Sequence, residues 1–107
     1  MKCFKLFVLL AAVVATPFVL ADGDPEAGKE KAQVCAACHG PDGNSPSGQY
    51  PSLAGQGERY LIKQLKAYKS GERENAIMQG QAANLSEQDM QDLAAFFTEQ
   101  SVKTGQV

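Results

Sequence analysis

The chain has 107 residues, with 12 acidic and 10 basic side chains and a formal net charge of −2. This length supports one small domain and leaves no room for a second core. The lack of a basic excess argues against nucleic acid as a partner, because phosphate binding depends on clustered Lys and Arg.

The first 21 residues have the layout of a secretory signal peptide. Lys2 and Lys5 precede a run of apolar residues, and the segment ends at Val19-Leu20-Ala21. We predict cleavage after Ala21, export to the periplasm and no stable membrane insertion afterwards, with an uncleaved N-terminal anchor as the alternative. The remaining domain, residues 22–107, keeps 8 basic and all 12 acidic residues, a net charge of −4.

Three main helices are predicted in this domain, and no strand, which makes the fold class all-α. The first helix spans about 24–36, because Asp24 can cap it and Pro25 suits its first position. The second spans 57–70 and carries an apolar stripe. The third begins at Ser86 with a capping-box pattern and runs to about Gln100.

The two connections between these helices are predicted to be loops. Ten of the 17 residues from 40 to 56 are Gly, Pro or Ser, which is typical of irregular structure. A loop this long in a small domain indicates that something other than protein lies beneath it. The second connection, residues 72–85, lacks sustained periodicity and is predicted to be a loop that can include a short turn of helix.

The motif C-x-x-C-H, formed by Cys35, Cys38 and His39, is typical of sites that bind a metal or a cofactor or that carry a redox-active pair. Structural zinc needs four protein ligands, and the mature chain has no further Cys or His. A thioredoxin-like redox pair would belong to a βαβ unit, for which there are no strands. The remaining interpretation is covalent attachment of one haem c through two thioethers, with His39 as the proximal iron ligand. The haem would also supply apolar surface that a small domain lacks.

A second axial ligand would distinguish electron transfer from ligand binding or catalysis. The mature chain has two methionines, Met78 and Met90. Met90 shares a helical face with other apolar residues and is predicted to fill the core. Met78 lies in the predicted second loop, where the chain could return across the haem, and is favoured as the distal ligand.

Three stretches of the chain resemble class I cytochromes c, most closely one domain of the bacterial two-haem cytochrome c-4 type. They are VCAACHGPDGNS, YPSLAGQGERYLIKQLKAYKSGER and MQGQAANLSEQDMQDLAAFF, and the match covers nearly all of residues 25–100. The resemblance implies a small fold of three helices and loops wrapped around one haem. It also implies a soluble electron carrier whose iron cycles between Fe(II) and Fe(III) with His/Met ligation.

The resemblance also assigns individual residues. Cys35 and Cys38 match the haem thioethers, while His39 and Met78 match the axial ligands. Pro51 matches a proline whose carbonyl accepts the Nδ1 hydrogen of the proximal histidine.

The chain departs from the family's pattern in two features, Gln81 and the number of C-x-x-C-H motifs. Gln81 stands where the family often has a second methionine, which leaves Met78 without a local competitor, and the single C-x-x-C-H motif implies one haem. Gly28 is expected to face Phe96 or Phe97 where the terminal helices cross.

The partners expected are redox proteins, an electron donor and a terminal oxidase or reductase, with no small-molecule substrate. Two alternatives stay open: an enzyme or gas sensor with a vacant sixth position, and a subunit of a membrane or dehydrogenase complex. Basic residues recur on the second helix and just after it, and acidic residues recur on the third. They are interpreted as solvated surface or, alternatively, as a charge dipole that steers the molecule to an acidic partner. The residues concerned are Arg59, Lys63, Lys66, Lys69 and Arg73, and Glu87, Asp89, Asp92 and Glu99.

Overall fold

The computed structural model describes residues 2–4, 7–15 and 22–104. Five α-helices lie in these ranges, and the described residues contain no strand, so the all-α fold class is confirmed. The helices are α1 (Pro25–Lys31), α2 (Ala36–His39), α3 (Glu58–Ser70), α4 (Ala76–Ala82) and α5 (Glu87–Glu99). Of the three predicted helices, the second and third correspond to α3 and α5.

The first predicted helix is divided into three pieces. Asp24 caps α1 as expected, with its carboxylate accepting the Glu26 N–H, but α1 ends at Lys31. A 3₁₀ turn at Ala32–Val34 follows, and α2 comes after it. Side chains three residues apart align in a 3₁₀ turn, and here Ala32 is buried while Cys35 packs against the same core. The tighter winding of the 3₁₀ turn therefore directs the Cys35 side chain towards the interior.

The second connection contains a seven-residue helix, α4, which is longer than the short turn of helix expected within that loop. Met78 therefore lies on a helix and not in a loop. Asn75 caps this helix, with its side-chain oxygen accepting the Met78 N–H at 3.0 Å. Seven residues with a glycine among them are too few to show an apolar period, so the pattern of the sequence hides this helix.

The core lies where α5 crosses α1 and α3. A methyl group at Gly28 would collide with the Asp92 carbonyl oxygen and lie 2.8 Å from the Phe96 Cβ, so the close approach of α1 to α5 requires glycine. The expected partner of Gly28 is thus Phe96. The main buried cluster is Ala32, Leu61, Leu93, Ala94, Phe96 and Phe97.

Asp92 was expected on the acidic surface of the third helix, but its side chain is buried. One carboxylate oxygen accepts the Asp24 N–H at 2.9 Å, and the other accepts Lys31 Nζ at 2.5 Å. Burial alone would raise the pKa of Asp92, but the Asp24 N–H, Lys31 and Gln88 together outweigh it and hold that pKa below its ordinary value. Lys31 also pairs with Asp89 at 2.9 Å. Both ends of α1 are thereby fastened to α5.

The described part of the N-terminal segment does not join this core. Residues 7–15 form no helix, and Phe7, Leu9 and Leu10 are each about 90% exposed. Among the described residues, no helix has both the length and the apolar character needed to cross a bilayer. The predicted cleavage point after Ala21 lies outside the described residues.

Candidate haem-binding site

The C-x-x-C-H motif forms one turn of helix. Cys35 immediately precedes α2, and its carbonyl oxygen accepts the N–H groups of Cys38 at 3.3 Å and His39 at 3.0 Å. Both cysteines carry free thiols and are half-buried. Two thiols are thus presented from one turn, followed directly by the imidazole.

The environment of Cys35 differs from that of a redox-active cysteine. Burial raises the pKa of the Cys35 thiol, and the neighbouring Cys38 raises it further. A thioredoxin-like nucleophile has a lowered pKa, which favours the reactive thiolate. The Cys35 thiol therefore lacks the lowered pKa of such a nucleophile.

His39 is buried, and one of its ring nitrogens already has a partner. Its Nδ1 lies 2.7 Å from the carbonyl oxygen of Pro51. Because a carbonyl can only accept, Nδ1 carries the hydrogen, and in the neutral ring Nε2 then presents its lone pair. Such a bond fixes the plane of the ring and raises the basicity of the other nitrogen. The hydrogen bond that the resemblance implies, from His39 Nδ1–H to the Pro51 carbonyl oxygen, is present.

The loop that supplies Pro51 is held by backbone bonds at a sharp reversal. Gly40 ends α2 with φ = +83°, and a side chain there would strike the Asn44 carbonyl. The carbonyl oxygen of Gly43 accepts the N–H groups of Leu53 at 2.7 Å and Ala54 at 3.0 Å. These bonds join the chain before Pro51, at Gly43, to the chain just after it.

A buried serine strengthens the same loop. Ser45 is 1% exposed, and its hydroxyl donates to the Ser47 carbonyl at 2.6 Å. The Ser45 N–H donates to the Ser52 hydroxyl at 3.0 Å, next to Pro51. Side-chain bonds thus position the residue that orients His39.

Residues 101–103 also fasten this loop, a contact that the sequence does not predict. Asn44 donates to the Ser101 carbonyl at 2.9 Å and accepts the Lys103 N–H at 2.9 Å. Lys103 Nζ pairs with Asp42 at 2.8 Å, and this hydrogen bond is the main reason that the pKa of Asp42 falls to about 2. A turn signal at Asp42-Gly43-Asn44 is visible in the sequence, but the contact spans about 60 residues and has no local pattern.

The two methionines have different environments. Met90 is 1% exposed, which places it in the core as predicted. Met78 is half-buried on α4, on a separate helix from the C-x-x-C-H turn. Gln81 lies on the same helix and is exposed.

The residues present fit a covalently held haem. The donor set offers two free thiols, an imidazole with Nε2 available, and a thioether. Apolar side chains that pack against the same core as Cys35 remain only partly buried, so they offer a surface for a flat apolar ligand. They are Leu53, Ile62, Leu65 and Leu85, from the first loop, α3 and the connection between α4 and α5.

Comparisons with known proteins agree with this chemistry. Residues 25–101 match the family model described as cytochrome c. The chain is 51% identical to cytochrome c4 of Pseudomonas aeruginosa, over 94% of this chain and 51% of that protein. It is 42% identical to cytochrome c-554(548) of Halomonas halodenitrificans, over 73% of this chain and 98% of that protein.

A solved structure extends the likeness to three dimensions. The crystal structure of reduced recombinant cytochrome c4 from Pseudomonas stutzeri superposes with a TM-score of 0.73 at 49% identity, covering 78% of this chain and 48% of that one. The chain therefore spans about half the length of the cytochrome c4 proteins it matches, and nearly the whole of cytochrome c-554(548).

Proposed function

Because the chain belongs to the cytochrome c family, whose cofactor is covalently attached haem c, we propose that it is a mono-haem electron carrier and not an enzyme. The observation that carries this proposal is the pairing of His39 Nδ1 with the Pro51 carbonyl directly behind two free thiols on one helical turn. When bound, the haem iron supplies one-electron cycling between Fe(III) and Fe(II).

The roles of individual residues follow from their chemistry. Cys35 and Cys38 would hold the haem through thioethers. His39 Nε2 would bind the iron, and the Pro51 carbonyl keeps the imidazole in one orientation with raised basicity. Met78 would supply the second protein ligand to the iron, and a thioether ligand raises the reduction potential.

Ligation by both His39 and Met78 would leave the iron no free position for a substrate, so we do not propose an enzyme or gas sensor. A sensor or peroxidase-like function would require Met78 to leave readily.

We further propose that the domain is exported and that residues 1–21 act as its signal peptide. Lys2 and the apolar run have the order of such a segment, and the exposed side chains of residues 7–15 contribute nothing to the core. The periplasm is the proposed location.

The partners we propose are redox proteins, a donor and a terminal oxidase or reductase, that present acidic surfaces. An open groove along α3 is lined by Arg59, Lys63 and Lys66 and also by Glu72, and we call the three basic residues the basic groove. Lys66 is partly neutralised by Glu87 at 3.2 Å, so Arg59 and Lys63 carry most of the positive charge of these three residues. Local charge of this kind governs encounter rates even when the net charge is negative.

Mass spectrometry and ligand binding test the proposal together. Extraction with acidified organic solvent removes non-covalent haem, so one haem per polypeptide is expected to remain bound after it. The ferrous protein is expected to show no rapid spectral change with carbon monoxide. Haem-free protein from a host with haem-attachment machinery would contradict covalent binding, and fast carbon monoxide binding would favour the sensor or enzyme.

A further inference from the structure

Helix α4, which carries Met78, is short and makes its contacts within the protein with α3. It has seven residues, and Ala82 is its only buried one. A methyl group at Gly80 would meet no protein atom within 4 Å outside the helix itself. Isolated helices shorter than about 12 residues are marginal in water, and this helix therefore depends on the contacts at its ends.

The start of α4 is closed by a reciprocal pair of hydrogen bonds. The Asn75 side-chain oxygen accepts the N–H of Met78 at 3.0 Å, and the Asn75 N–H donates to the Gln79 side-chain oxygen at 3.2 Å. This is the arrangement of an N-terminal cap, which satisfies donors that the helix itself cannot. The capped N–H belongs to Met78 itself.

Contacts with α3 hold the two flanks of α4. Before the cap, Arg73 donates to the Gln64 side chain at 2.8 Å and lies 4.7 Å from the ring centre of Tyr68. After the helix, Lys69 Nζ donates to the Leu85 carbonyl at 2.5 Å. The flanks are thus fixed independently of the cap, and loss of the cap would release mainly the first turn of α4.

We propose that Asn75 is a positioning residue for Met78, holding its backbone so that the thioether stays on the iron. This inference rests on the proposed function, in which Met78 is the distal ligand. The cap acts on the open–closed equilibrium of α4, and a weaker cap increases the fraction of molecules with the iron position vacated.

Competition by imidazole measures that equilibrium. Imidazole binds iron only when Met78 has left, so its apparent affinity rises with the open fraction. Removing a cap of this kind is expected to strengthen imidazole binding by the ferric Asn75→Ala protein about three- to ten-fold. Asn75→Asp keeps an acceptor oxygen at the cap and is expected to restore an affinity close to that of the parent.

Ser86→Ala is the matched control, because it removes a cap of the same type from α5. The Ser86 hydroxyl accepts the Asp89 N–H at 3.0 Å, and the Asp89 carboxylate accepts the Ser86 N–H at 2.9 Å. Helix α5 lies in the core and does not carry Met78. This variant is expected to lower the midpoint of denaturant unfolding and to leave the imidazole affinity within about two-fold of the parent, as expected for a cap that acts on global stability only.

The outcomes separate the inference from the proposed function. The sulfur-to-iron charge-transfer band should be present in the ferric parent and absent from Met78→Ala; a parent without it would overturn Met78 ligation and, with it, the role of Asn75. If the band is present and the Asn75→Ala, Asn75→Asp and Ser86→Ala proteins all bind imidazole like the parent, only the inference is wrong. Equal strengthening in Asn75→Ala and Ser86→Ala would also overturn it.

Discussion

The two segments that supply the proposed axial ligands are stabilised in different ways. Around His39, residues 40–54 form a network with Asn44 and Ser45 buried and with the C-terminal residues 101–103 bonded to it. Around Met78, residues 71–85 bury only Ala82, and their side-chain hydrogen bonds are exposed. One ligand sits in a region fixed by long-range contacts, whereas the other sits on a short helix fixed mainly at its ends.

This difference predicts where ligation can fail. Local opening requires less free energy where few apolar contacts and few buried hydrogen bonds must break. The Met78 side should therefore open before the His39 side, and the His39 side should open only with the whole domain. Opening of the Met78 side alone would expose the iron to outside ligands while the haem stayed covalently attached.

The largest expected effect comes from removing the distal thioether. Met78→Ala should abolish the sulfur-to-iron charge-transfer band and lower the reduction potential, because methionine favours the reduced ion. The domain should stay folded, since Met78 is only half-buried. Ferric absorption spectra and voltammetry measure both quantities.

Met90→Ala supplies the contrast for this experiment. Met90 is 1% exposed, so its truncation should lower the free energy of unfolding by about 2 to 5 kcal/mol and leave the band in place. The reversed pattern, with the band lost in Met90→Ala, would assign the distal ligand to Met90.

Local patterns in the sequence predicted much of this arrangement. The C-terminal end of α3 follows from Gly71, and the start of α5 follows from the Ser86 capping box. Both signals act within a few residues. Those patterns did not predict α4, because a seven-residue helix has no measurable apolar period and depends on Asn75 and on α3. The burial of Asp92 was also missed, since its partner Lys31 lies 61 residues away. The assignment of Pro51 came from the family resemblance, because no local rule links it to His39.

A smaller effect is expected where the C-terminal residues fasten the His39 side. The pKa of Asp42 is lowered from 3.8 to about 2, mainly by its hydrogen bond with Lys103. A lowered native pKa gives stability that is complete above the unfolded value and is lost as pH falls through the native value. This contribution should thus disappear between about pH 4 and pH 2, and after allowance for solvent screening it should amount to roughly 0.5 to 1 kcal/mol.

Asp42→Asn should remove this part of the acid dependence. Denaturant unfolding followed from pH 5 to pH 2.5 should show a flatter decline for the variant than for the parent, with the gap closing at the acid end. Glu26→Gln is the control, because Glu26 is exposed on α1 and makes no ion pair within the described residues. Parallel curves for the parent and Asp42→Asn would mean that the bond with Lys103 does not stabilise the His39 side.

The smallest effect is expected at the basic groove, which belongs to neither ligand segment. Lys63 is exposed and forms no ion pair among the described residues, whereas Lys66 pairs with Glu87 at 3.2 Å. Lys63→Gln should therefore slow electron transfer to an acidic redox partner about two- to three-fold at low salt, with a smaller change for Lys66→Gln. The effect should fade above 0.1 M salt, where charges are screened beyond about 10 Å. Lys29→Gln removes the same charge from α1, outside the groove, so a reduction in rate equal to that of Lys63→Gln would show that net charge, and not the groove, governs the encounter.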